Sequence, residues 1–367
     1  MKHRSTALTF LAALLVVASV ASTAFTQDAT DTLRAHPRYA RPTPHLRNDI
    51  APPATPLTTW NGSFSYSGHT YKYNMVGTSP TTGVSTTVPV FLIPIALQYK
   101  SGTTTTTFSP AHVLSNGQTV IANTVASPVF QSGIDFNQGG TDLGNTQYID
   151  AYQRGNFWSR VSKAPGYHLL LGAPRVAPVQ TIVVPSADGR IGTEFGVKVG
   201  LADINWFDAQ VNALITKFTA IQPNTLPIFI TYDAYLTESG GCCIGGYHSS
   251  TGSTTAPQAY AHFTYIDKPV FAQDVSALSH EVGEWADDPL VVNINGNPVV
   301  CGILENGDPE EGFANYGAFP YTLGGFTYNL QDLVWLPYFG APASTSANSW
   351  LTFQGNPFHL GICSNGG

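Results

Sequence analysis

AYAHFTYI at 259–266 and DVSALSHEVGEW at 274–285, closing on Ala286-Asp287-Asp288-Pro289, decide how this chain is read. The first segment is strand-like in its aromatic and apolar content. In the second, Val275, Leu278, Val282 and Trp285 recur at helical spacing and predict a helix over 274–285 that buries that face. Asp274 stands where it can cap the N-terminus, and Asp288 before Pro289 is a stop. At 100° per residue, His280 and Glu284 are neighbours on one face, close enough to bind one metal ion. Glu281 sits beside the pair, and Asp287 projects near the His280 side, where it can orient that ring.

Upstream, TLPIFITYDAYL at 225–236 reads as a strand, and GGCCIGGYHSS at 240–250 as a loop. Ile204, Phe207, Val211, Leu214, Ile215 and Phe218 describe an amphipathic helix. The order is therefore helix, strand, loop, strand, helix. Nearer the N-terminus, Phe64 and Tyr66, then Tyr71, Tyr73 and Met75, alternate around Ser67-Gly68, a hairpin signature. Val88 to Leu97 is an apolar run suited to a strand buried on both faces, and a short helix is expected near 150–158. The expected class is α+β, with a β-rich region at 58–190 and a second region at 191–367 that carries the helix.

Only 11% of the chain is charged, against about a quarter in an average soluble domain. Of seven glutamates, five lie between Glu281 and Glu311. A hydrophobic content of 43% excludes a disordered or fibrous chain. A net charge of −7 with 16 Lys+Arg argues against nucleic acid or an anionic membrane as the main partner. G-x-S-x-G, P-loop and G-x-G-x-x-G after a strand are all missing from the sequence.

Met1 to Ala24 reads as a secretory signal peptide. It has a basic start at Lys2, His3 and Arg4, an apolar run at 7–20, and Ser22 and Ala24 before the cut. A secreted or periplasmic protein with no membrane span after cleavage is expected. Residues 25–57 are rich in proline and arginine and read as a disordered arm, either a linker or a propeptide. Export favours disulfides among Cys242, Cys243, Cys301 and Cys363. Adjacent cysteines rarely bond each other, so Cys242 and Cys243 are each expected to reach forward, one to Cys301 and one to Cys363.

The His280-Glu281-Val282-Gly283-Glu284 run resembles the H-E-x-x-H helix of zincin metallopeptidases, with Glu284 in place of the second histidine. The resemblance implies that His280 and Glu284 hold one divalent metal, zinc in that family, while Glu281 is the base that activates a metal-bound water. Gluzincin-type members take a third ligand from a downstream glutamate. Glu305 in CGILENGDP (301–309), 21 residues after Glu284, matches that place. It also implies a zincin-like C-terminal part, in which an edge strand of a mixed sheet binds substrate backbone beside the active-site helix. A closer likeness covers about residues 60–360 through GCCIGGYHSS, FAQDVSALSHEVGEWADDP and LENGDP. It is to a family of secreted bacterial proteins, and more weakly to plant EXORDIUM/phosphate-induced proteins.

His248, His262, Asp308 and Asp287 are further candidates for an extra ligand or a supporting contact, with Tyr247 and Tyr265 as hydrogen-bond donors. Glu310 and Glu311 are expected in solvent. The expected function is a secreted, monomeric, zinc-dependent hydrolase, a metallopeptidase acting on a peptide or protein. The alternative is a non-catalytic extracellular binding or cell-wall interaction protein that keeps the fold.

Overall fold

The computed structural model describes residues 38–40, 45–47, 55–138, 140–291, 304–313 and 315–355. The signal-peptide reading, Cys301 and Cys363 lie outside the described residues, as does most of the 25–57 arm.

The architecture is α+β and rich in strand. Its centre is a mixed sheet in the order β5 (Val90–Ser101), β7 (Leu226–Tyr232), β10 (Ala256–Tyr265), β9 (Gly241–Ser253), β8 (Ala234–Glu238), β6 (Val197–Asp203). β5, β7 and β10 run parallel, β9 is antiparallel to β10 and β8, and β8 is parallel to β6. Two short strands from the arm, β1 (Arg38–Ala40) and β2 (His45–Arg47), pair in parallel with β9. The hairpin expected around Ser67-Gly68 is present as β3 (Thr59–Tyr66) and β4 (His69–Val76), with positive φ at both turn residues.

Alternation along β5 shows why its sequence is apolar throughout. Val90 and Leu92 join the core on one face, while Phe91, Ile93, Ile95 and Leu97 join the core on the other. Helix α2 (Ile204–Lys217), capped by the Asp203 side chain, covers the second face with Phe207, Val211 and Leu214. Helix α3 (Ser276–Asp287) covers the first face with α1 (Tyr148–Asn156). β5 comes from the 58–190 stretch and lies against β7 of the later one, so the two stretches share a sheet and a core.

Three expectations about local structure are corrected. The 225–236 strand breaks at Asp233, where φ is 45°, and its second part crosses to pair with β9 and β6. The Gly/Cys segment is not a loop but most of strand β9, whose small residues let it lie close against α3. An added Cβ on Gly245 would come within 2.9 Å of Phe271 and Ala272. Helix α3 begins at Ser276, and Asp274 does not cap it in the ordinary way. The Asp274 carboxylate accepts from the Val275 N–H and from the Asn329 backbone and side chain, tying the helix start to β11 (Phe326–Gln331).

Candidate metal centre

Every residue of α3 is buried, which its apolar stripe alone does not require. Trp285, Leu278 and Val282 join the core, each contributing roughly 1.5–3 kcal/mol of burial. The polar side of the helix is enclosed as well, by β9 above and by the 304–308 loop beside it.

Two clusters form on that polar side. His280 Nε2 lies 3.0 Å from Glu284 Oε1 and 3.5 Å from Asp308 Oδ1. His248 Nδ1, from β9, lies 3.5 Å from Glu281 Oε2 and 3.7 Å from Glu284 Oε2. In each of the groups His280–Glu284–Asp308 and His248–Glu284–Glu305, one ligand atom per residue falls within 4.8 Å of the others. Of the expected ligand set, His280 and Glu284 therefore come together. Glu305 meets Glu284 in the other group, with His248, while Asp308 completes the group of His280. Asp308 faces solvent, its side chain 42% exposed, and the rest are buried.

Glycine makes this crowding possible. A Cβ on Gly307 would lie 2.2 Å from His280 Nδ1, and one on Gly246 would lie 2.6 Å from Glu281 Oε1. The 305–308 loop is fastened by Asn306, whose side-chain amide donates to Asp287 Oδ2 and Gly283 O, and by the Gly307 N–H, which donates to Glu284 Oε1. Asp287 does not serve as the expected partner of His280. Its oxygens are taken by Tyr152, Gln153 and Asn306, and burial pushes its pKa to about 6 against the lowering effect of those bonds. It positions the loop. The Asp288 carbonyl accepts a hydrogen bond from His248 Nε2, a contact that no pattern in the sequence marks.

A carbonyl can only accept, so His248 Nε2 carries a proton, and Nδ1 is the nitrogen turned toward two carboxylates. The Glu281 oxygens have no hydrogen-bond donor among the described residues. Burial first, then Glu284, Glu305, Asp308 and Glu311, raises Glu281 well above the usual carboxylate range. Burial and Asp308 raise Glu284, with hydrogen bonds from Glu305 and the Gly307 N–H opposing. Imidazole nitrogen with two carboxylates, their atoms gathered within 4.8 Å, fits a divalent cation.

The remaining candidates fall elsewhere. His262 pairs across from Tyr247, one residue out of step with His248, so it faces α2. There it contacts Thr231 Oγ1 through Nε2 and packs against Phe207, and burial lowers its pKa to about 3. Tyr247 donates to Asp208 on α2, and Tyr265 accepts from Asn123. Glu310 is buried, contrary to expectation, and its pKa is pushed to about 10 by burial and by Asp332. Cys242 and Cys243 are bonded to each other. That bond uses both sulfurs, so neither reaches forward to Cys301 or Cys363 as expected.

No protein-family model, curated protein or solved structure matches this chain.

Proposed function

We propose that this chain is a secreted, divalent-metal-dependent hydrolase acting on peptide or protein substrates, with a zincin-like arrangement of helix and strand. The supporting observation is Glu281, a buried carboxylate with no hydrogen-bond donor among the described residues, beside two histidine–carboxylate clusters. A structural acid would be met by donors.

His280, Glu284 and Asp308 would hold the ion at the solvent-facing side, where Asp308 is exposed. The ion, zinc or a similar divalent metal, would supply the Lewis acidity that brings the pKa of water near neutrality. Glu281 accepts the proton and passes it to the leaving amine, a task suited to a carboxylate with a raised pKa. Asn306 and Asp287 hold the loop that carries Asp308.

Elemental analysis and a peptide-library cleavage assay on wild type and Glu281→Gln test this reading. The variant should retain metal and lose hydrolysis. Undiminished cleavage would overturn the base assignment, and failure of the wild type to take up metal would overturn the site.

One observation favours the non-catalytic alternative. Glu281 is 1% exposed, and β9 crosses it so closely that only glycine fits at 246. Under that reading the ion is structural. Chelation would lower the melting temperature, and no peptide would be cut.

A further inference from the structure

Glu284 presents one oxygen to each histidine. Oε1 lies 3.0 Å from His280 Nε2, and Oε2 lies 3.7 Å from His248 Nδ1. The two groups of possible ligands share this one side chain and no other: His280 and Asp308 belong to one, His248 and Glu305 to the other. A carboxylate with its oxygens turned to separate nitrogen donors has the disposition of a bridge. We propose that Glu284 bridges two divalent-cation sites, one completed by His280 and Asp308 and the other by His248 and Glu305.

Ligand supply supports two ions over one. Glu281, Glu284, Glu305 and Asp308 bring four carboxylates together, and all but Asp308 are buried. With His248 and His280 they offer more ligand groups than one four-coordinate ion takes. The placement of His248 agrees. Its Nε2 is committed to the Asp288 carbonyl, and its Nδ1 is turned to Glu281 and Glu284, away from His280 Nε2 and its partner Asp308. Glu281, with no hydrogen-bond donor among the described residues, stands next to the His248 site through Oε2. Centres with paired ions hold both oxygens of a displacement at once. The inference rests on the proposed metal dependence and extends it from one ion to two.

The mature protein, stripped by chelation and titrated with Mn²⁺, tests it by native mass spectrometry and electron paramagnetic resonance. Two bound ions with an exchange-coupled spectrum are expected. Asp308→Asn should reduce the count to one and abolish the coupling, and its solvent-facing position keeps the substitution out of the core. His248→Ala should also leave one, at the opposite site. Saturation at one ion in the wild type would overturn the bridge while leaving the hydrolase reading intact. Two ions without coupling, or two retained in both variants, would also overturn it. No bound ion would overturn both.

Discussion

His248 and His262 sit on neighbouring strands, both wholly buried, on opposite faces of one sheet. On the α2 face, His262 meets Thr231, and the nearby buried acid Asp208 accepts hydrogen bonds from Tyr247, Tyr260 and Asn212. On the α3 face, His248 looks at Glu281 and Glu284, and Glu281 has no donor among the described residues. Burial is equal, but hydrogen-bond provision is not. A fold that needs a buried acid surrounds it with donors. The α3 face crowds acids against imidazole nitrogens, and this is what distinguishes a site from a packing solution.

Substituting the central acid on each face should separate the two behaviours. Glu284→Gln should cost metal affinity more than the ~10–100-fold that loss of an outer-shell partner costs, because Glu284 belongs to both groups. Hydrolysis should vanish with it. Asp208→Ala should leave metal content unchanged, yet destabilise the fold by about 2–4 kcal/mol as two phenols and an amide lose their acceptor. Denaturant unfolding and elemental analysis of both proteins check the pair. If Asp208→Ala released metal, the faces would not be independent.

Glu281→Gln probes the α3 face more finely. Metal should stay while turnover falls by roughly 10²–10⁴-fold, the usual contribution of a general base. Single-turnover kinetics on metal-loaded protein is the measurement.

How much of this was legible in the sequence depends on distance along the chain. The spacing of His280, Glu281 and Glu284 needs only helical periodicity, and their helix was recoverable from its apolar stripe. The roles of His248 and His262 need the register of β9 against β10. A shift of one residue exchanges their faces, and a Gly-Cys-rich stretch gives no alternation from which to set it. Glu305 and Asp308 were visible as acids downstream. Their division between two histidines depends on the turn through Asn306-Gly307, whose amide and N–H donate to Asp287, to Glu284 and to the Gly283 carbonyl of the helix. The Cys242–Cys243 bond departs from the expectation because disulfide geometry disfavours adjacent pairs only as a tendency, and nothing in the spacing marks this exception. Glu310 was misread because a run of two acids looks solvated, while Gln331 and the 3₁₀ turn at Asp308–Glu310 draw the first one inside.

Gly307 offers a gentler perturbation of the α3 face. Its φ of −96° suits any residue, so alanine brings no backbone strain. The added Cβ would stand 2.2 Å from His280 Nδ1 and must push that ring away from Glu284. Metal affinity should drop by about 10–100-fold, the range for displaced supporting contacts, and the metal-free melting temperature should fall as overpacking costs about 1–3 kcal/mol. Isothermal titration with Zn²⁺ reads the first quantity and calorimetry the second. Unaltered affinity would mean that His280 is not a ligand.

A further effect belongs to the α2 face and appears only on acidification. His262 has a folded pKa of about 3, against 6.5 for the exposed ring, because burial disfavours its charged form. Between those values the unfolded chain takes up a proton that the folded chain refuses, so stability falls as pH falls. The slope is roughly 1.4 kcal/mol per pH unit inside the window, and it flattens below pH ~3. His262→Phe removes this term. From pH 6.5 to 4.5 the variant should lose about 2–3 kcal/mol less than the wild type, whatever the small cost of losing the Thr231 contact. Both proteins are measured in chelator, so that metal release from the opposite face does not enter the difference. Parallel stability curves would show that the α2 face admits a charged histidine. Its contrast with the α3 face would then lie in the acids alone.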